Sequence, residues 1–240
     1  MILRRLAQAI RGQHWTTLAL ELLILVIGIF LGLQVDDWNE SRKHQQQESV
    51  YMHKIYQDLT AMRAELEEII QRGEKFIGRM TAAVHALEAC DASYEAQSNI
   101  KFALESYQVL PGINYLDATY NEMVASGSLV RIKNHELKQK IAYAYSALER
   151  FNMSLQSYRI SMPNVDLIVW RNVSYSIEKD SGKPTVRFEM NELCENIEVR
   201  NAFVEMIDIQ SDGKGTAGGA LTSVHELMAI LSEEIGKSID

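Results

Sequence analysis

Cysteine is nearly absent from this chain: two residues in 240, Cys90 and Cys194. Neither stands in a CxxC pair or in a zinc-type spacing, which excludes a thioredoxin-like redox motif and thiolate metal sites. Proline is as scarce, at three, and with only thirteen glycines the chain has too few breakers for a long disordered linker. The six histidines, His14, His44, His53, His85, His135 and His225, form no HExxH or comparable ligand set. There is no GxGxxG and no P-loop, and Ser126-Gly127-Ser128 lacks the flanking GxSxG of a nucleophile elbow. Basic side chains are outnumbered, 24 against 32 acidic, for a formal net charge of −8. Arg4, Arg5 and Arg11 precede the long apolar run, so the body of the chain beyond that run is more acidic still. This balance argues against nucleic acid or anionic headgroups as partners of the body. No catalytic residue, metal or cofactor is expected, and the chain reads as a non-enzyme.

What the chain does have is one almost unbroken apolar run over residues 18–35, with Trp15 before it, Trp38 after it and a single carboxylate, Glu21, inside it. At about 1.5 Å per residue the step from Trp15 to Trp38 covers about 35 Å, enough for a hydrocarbon core of about 30 Å. Indole rings favour the headgroup level, so the two tryptophans mark the two edges of one spanning helix. A cleaved signal peptide is the competing reading. Against it, residues 32–40 offer no small-x-small cleavage pattern and run instead into Asp36, Asp37 and Trp38. Three arginines and no acid precede the span, whereas Asp36, Asp37 and Glu40 separate it from Arg42 and Lys43. That slight asymmetry favours a cytoplasmic N-terminus. The expected order is a cytoplasmic tail over 1–14, a transmembrane helix over 15–38, and an exported, periplasmic helical domain over 39–240. No second run of spanning length occurs, so the chain passes the bilayer once.

Beyond the span, Ile55, Leu59, Met62, Leu66, Ile69, Gly73, Phe76, Met80, Ala83 and Leu87 step alternately by four and three, an unbroken heptad stripe. Two readings stand for it, a stalk continuing the spanning helix or a bundle helix packed on its own chain; Gly73 and Gly78 favour the bundle. Residues 90–98 read as a small polar connection and 99–107 as a short helix closed by Pro111-Gly112. Thr119 with Glu122 forms a capping box opening the next helix, which ends at Ser126-Gly127. Asn134 then caps a long helix through Leu137, Ile141, Tyr145, Leu148, Phe151 and Leu155, ended or kinked by Pro163. Residues 173–190 alternate with period two around Asp180-Ser181-Gly182 and admit a small β-hairpin. Helix returns over 199–209, a loop or weak joint comes next over 211–219, and a last helix covers 221–235. Tyr120, Tyr143, Tyr145, Tyr158 and Trp170 are assigned to the core and an interface. The fold class is thus mainly α, one N-terminal transmembrane helix followed by a helical bundle. For Cys90 and Cys194 two readings stand, a disulfide or two buried thiols behaving as small hydrophobes.

Within the span, Gly28 and Gly32 lie within roughly 20° of Glu21 around the helix, and they form a GxxxG that lets two backbones approach closely in lipid. A carboxylate within hydrocarbon is costly, so Glu21 is protonated, paired or turned to protein. One reading makes this face an oligomer or partner interface. The other leaves Glu21 shallow enough to reach the headgroups.

The stretch from Glu21 through Gly28, Gly32, Gln34 and Trp38-Asn39-Glu40 resembles the N-terminal signature of a bacterial family of uncharacterised single-pass inner-membrane proteins. A second segment, Thr119-Tyr120-Asn121-Glu122 with Ser126-Gly127-Ser128-Leu129 and Ile132-Lys133-Asn134, is similar to another signature of that family. The resemblance implies an inner-membrane, helix-rich protein of Gram-negative type, and it implies no activity. Gln34, Trp38, Asn39 and Glu40 make a polar cluster at the membrane exit, which suggests a fixed contact there. The function expected is a membrane-anchored interaction or scaffold module that forms a homo-oligomer or docks another membrane protein. Alternatives are a proton-motive or transport component using Glu21, and a periplasmic ligand sensor that needs a signalling partner.

Overall fold

The computed structural model describes residues 15–237. The cytoplasmic tail expected over 1–14 lies outside the described residues. The protein is mainly α-helical. It divides into two compact units, Met1–Tyr51 and Met52–Asp240, and the first helix, α1 (Trp15–Ala89), contributes to both.

In the first unit α1 carries the apolar run with its side chains turned outward, from 48% exposed at Ile27 to 67% at Trp38. A helix satisfies its own backbone, so an all-apolar surface suits lipid and not water. This is the one helix among the described residues long and apolar enough to cross a membrane.

In the second unit the stripe on α1 is the wall of a bundle. Ile55, Leu59, Met62, Leu66, Met80 and Ala83 are fully buried, and Gly73 is buried among them. The bundle reading holds for this stripe. α1 stops in a paired-bond end: Asp91 N–H donates to Ala86 O at 2.9 Å and Cys90 N–H to Leu87 O at 3.3 Å. Cys90 occupies the left-handed position of that motif (φ 47°), which glycine usually fills.

α2 (Tyr94–Ser106) begins five residues earlier than the sequence pattern suggests. The cause is local: Asp91 accepts from Ser93 N–H at 2.8 Å, and Ser93 Oγ in turn accepts from Ala96 N–H at 3.3 Å. An irregular segment then leads to α3 (Ala118–Ala125) and α4 (Ser128–Arg131). Thr119 does not cap α3. Its hydroxyl donates to Asp58 on α1 at 2.7 Å, and Asp117 is the residue at the cap. The turn between α3 and α4 does need a glycine, since Gly127 sits at φ 69°.

Asn134 caps α5 (His135–Asn172), its Oδ1 accepting from Leu137 N–H at 3.1 Å. The helix does not end at Pro163 but runs on to Asn172. The hairpin forms as β1 (Ser174–Ile177) and β2 (Pro184–Arg187), antiparallel, with Tyr175 opposite Val186. A short α6 (Met190–Glu195) leads into α7 (Ile197–Lys237), a single helix of 41 residues lying along α5. The joint expected over 211–219 is therefore absent. Ala217, Ala220, Val224 and Leu227 are buried in one continuous face, and that burial outweighs a helix cost of about 1 kcal/mol per glycine. Lys140–Glu226 at 2.6 Å and Asn134–Glu234 at 2.9 Å tie α5 to α7 along their exposed edge.

Cys90 and Cys194 form a disulfide, with Cα atoms 5.4 Å apart at a sequence separation of 104. It fastens the end of α1 to α6. Closing so long a loop stabilises the fold by about 4.7 kcal/mol in the chain-entropy account. Of the two readings of the cysteines, the structure therefore contains the bridge.

Candidate functional site

Two regions of the molecule carry side chains that its packing does not use. The first is the apolar segment of α1. Glu21, Gly28 and Gly32 are all exposed there, and a Cβ added at either glycine would meet nothing within 4 Å. Helical geometry places the three on one side, a smooth strip with a carboxylate at one end. Gln34, Trp38, Asn39 and Glu40 come next on the same helix and are exposed as well. Glu40 accepts from or pairs with His44 Nε2 at 3.3 Å, one turn on.

The second region lies in the Met52–Asp240 unit, where α2 ends beside the hairpin and the last turn of α5. Leu104, Tyr107, Trp170, Tyr175, Ile177 and Pro184 are among the residues that line an open cleft of about 510 Å³. Three separate segments build it. Trp170 comes from α5 and is 59% exposed, its ring tilted by 32° against Tyr175 of β1 with centroids 4.8 Å apart. Tyr175 Oη donates to Leu104 O at 3.1 Å, which fixes the ring to the end of α2. Tyr107 is buried at the base, where Gln108 Nε2 donates to its hydroxyl at 3.0 Å and to Asp166 Oδ1 at 3.1 Å.

No family model, curated protein or solved structure matches this chain.

Glu105 is the charged residue on the wall of the cleft. Its Oε1 accepts from Thr185 Oγ1 at 3.3 Å and from Val186 N–H at 3.4 Å, and Lys101 Nζ stands 3.7 Å away on the preceding turn. The buried Ser176 Oγ has no hydrogen-bond partner among the described residues. Burial raises the Tyr107 phenol above its ordinary range, with Tyr175 and Asp166 adding to it. Tyr175 is raised first by burial, and Asp166 and Glu105 push the same way. Both phenols thus stay neutral donors at physiological pH, in surroundings of negative sign.

The sequence pattern assigns Trp170 to the core or an interface and marks neither Tyr107 nor Tyr175 for a site. The alternation of Val173, Tyr175 and Ile177 is a signal for the strand, but nothing local tells that a strand tyrosine meets a helix tryptophan. Of the other aromatics, Tyr145 is fully buried and Tyr143 is 56% exposed. Among the described residues no three His, Cys, Asp or Glu side chains gather as a metal site.

Proposed function

We propose that this protein is a membrane-anchored, non-enzymatic interaction module that associates with a second copy, or with another membrane protein, through the face of α1 bearing Glu21, Gly28 and Gly32. The chain passes a bacterial inner membrane once. Its N-terminus is cytoplasmic and its bundle stands in the periplasm, the arrangement favoured by the three arginines and the lack of acids before the span. The observation that carries the reading is the strip itself: two glycines four residues apart, with a carboxylate on the same side of an otherwise apolar helix. In lipid there is no hydrophobic drive between helices, and close backbone approach over small residues supplies the packing instead. A carboxylate at the end of such a strip gains a partner or a shared proton when the helices meet, which offsets a desolvation cost of a few kcal/mol. Asn39, eighteen residues on from Glu21 and so on the same side of the helix, continues that face toward the headgroup region. The disulfide supports the exported placement of the bundle, because such bonds persist in oxidising compartments.

The test is in-membrane crosslinking with co-purification of wild type beside Gly28→Ile and Glu21→Gln. A complex present in wild type and lost in Gly28→Ile is the expected result, with Glu21→Gln weakened. A complex that survives both substitutions removes the span from the interface.

A further inference from the structure

In the cleft between α2, α5 and the hairpin, Leu104 and Tyr107 belong to the bundle core, whereas Trp170 stands outside it. Trp170 leaves 59% of its surface in solvent, yet its ring is held in place by Tyr175, whose hydroxyl is anchored on Leu104 O. An ordered, exposed indole face beside a second aromatic ring is a surface of negative potential, since the ring quadrupole is negative on its face. The charge around it has the same sign. Glu105 lies on the wall, Asp166 lies behind Gln108, and none of the described lining residues carries a positive charge. Lys101 Nζ stands 3.7 Å from Glu105 Oε1, one turn back on α2, and is not among the residues that line the cleft. The rise in the Tyr107 and Tyr175 phenols reflects the same field, after burial. Ile177 and Pro184 add apolar area.

We infer that this cleft binds a small organic cation of the quaternary-ammonium class, its methylated head on the face of the Trp170 indole that Tyr175 does not cover and its charge balanced by Glu105. A bare metal ion would find too few oxygen ligands here, and an anion would meet a repulsive wall. A neutral apolar molecule would gain the rings but not the carboxylate. The fit needs both features in one ligand, which defines the class.

Choline is the probe, titrated calorimetrically into the full chain in maltoside micelles, which contain no ammonium group. Its neutral isostere 3,3-dimethyl-1-butanol is titrated in parallel. Saturable choline binding, about tenfold tighter than that of the isostere, is expected, because a cation–π contact with a partly desolvated head is worth about one decade of affinity. Trp170→Ala and Glu105→Gln should each weaken it about tenfold, and Trp170→Phe, which keeps a ring face, should retain most of it. Trp170 lies outside the core, so the Trp170→Ala chain should keep its melting temperature and its disulfide. Displacement of choline by short-chain phosphatidylcholine at much lower concentration marks a lipid headgroup as the source, and equal potency of the two marks a free solute. Absence of saturable binding, equal binding of the isostere, or binding unchanged in Trp170→Ala overturns the assignment. None of these outcomes touches the interface on α1, which is tested separately.

Discussion

Tyr145 holds its phenol oxygen inside the bundle without a hydrogen-bond partner among the described residues, and it is one of the largest fully buried side chains. Tyr120 stacks on it almost in parallel, at 4.4 Å and 6°, while Tyr115 Oη donates to the Tyr145 carbonyl at 3.3 Å. Burial pushes the Tyr145 phenol well above its ordinary value, with Asp58 adding to the effect, and burial with Asp117 pushes Tyr115 up to about 12. The sign of the pH dependence comes from linkage. Above pH about 10 the unfolded chain releases these protons and the native state keeps them, so stability falls as pH rises. It is level below that point, drops through about 12 for Tyr115, and continues to drop beyond for Tyr145. Denaturation midpoints in maltoside should be flat from pH about 7 to 9 and clearly lower at pH about 11, with Tyr145→Phe losing less than wild type. Equal losses in the two would show that Tyr145 is not the group responsible. The same neighbourhood shows what one residue can reveal in sequence. Asn134 is legible as a cap because its acceptor and donor lie three residues apart. Thr119 is not, because the group that claims its hydroxyl, Asp58, lies 61 residues away.

At the scale of elements, α7 is where local preference and tertiary packing disagree most. Gly213, Gly215, Gly218 and Gly219 sit close together, and by propensity alone they read as a joint. The helix passes through them because Ala217 and Ala220 sit on the buried face against the bundle. Gly215 and Gly219 are exposed, and a Cβ at either would meet nothing within 4 Å. Gly215→Ala and Gly219→Ala should therefore each stabilise the fold by about 0.5–1 kcal/mol, raising the melting temperature by a few degrees. A decrease in both would mean that this stretch is not helical in solution. The stripe on α1 is readable because one period persists from Ile55 to Leu87, and every one of its positions is buried. The hairpin is readable from its alternation and from Gly182, which takes φ 65° in the turn. The early start of α2 escapes because Ser93 lies in a run of small polar residues with no apolar period. The aromatic cleft escapes for a stronger reason: Tyr107, Trp170 and Tyr175 belong to three segments, and only the fold brings them together.

For the whole molecule, the disulfide and the apolar segment of α1 constrain one another through compartment. A bond between Cys90 and Cys194 closes a loop of 104 residues, and such bonds are rare where glutathione and thioredoxin keep thiols reduced. If α1 anchors the chain with its N-terminus in the cytoplasm, the bundle meets an oxidising space, and both cysteines should be blocked in living cells. A bundle on the cytoplasmic side would leave them as free thiols. Alkylation of intact cells with a maleimide–polyethylene glycol reagent, after acid quenching, distinguishes the two by gel mobility. The expected pattern is no shift until the protein is reduced and then a shift of two reagents, with the free form accumulating in a strain that lacks its periplasmic thiol oxidase. Two reactive thiols in untreated wild-type cells would overturn the exported placement while leaving the helical fold intact. Loss of the bridge should also lower stability by about 4–5 kcal/mol, enough to decide whether a bundle of this size persists at growth temperature. The orientation inferred from a few arginines thus becomes a statement about two sulfur atoms, and the thiol assay reads it directly.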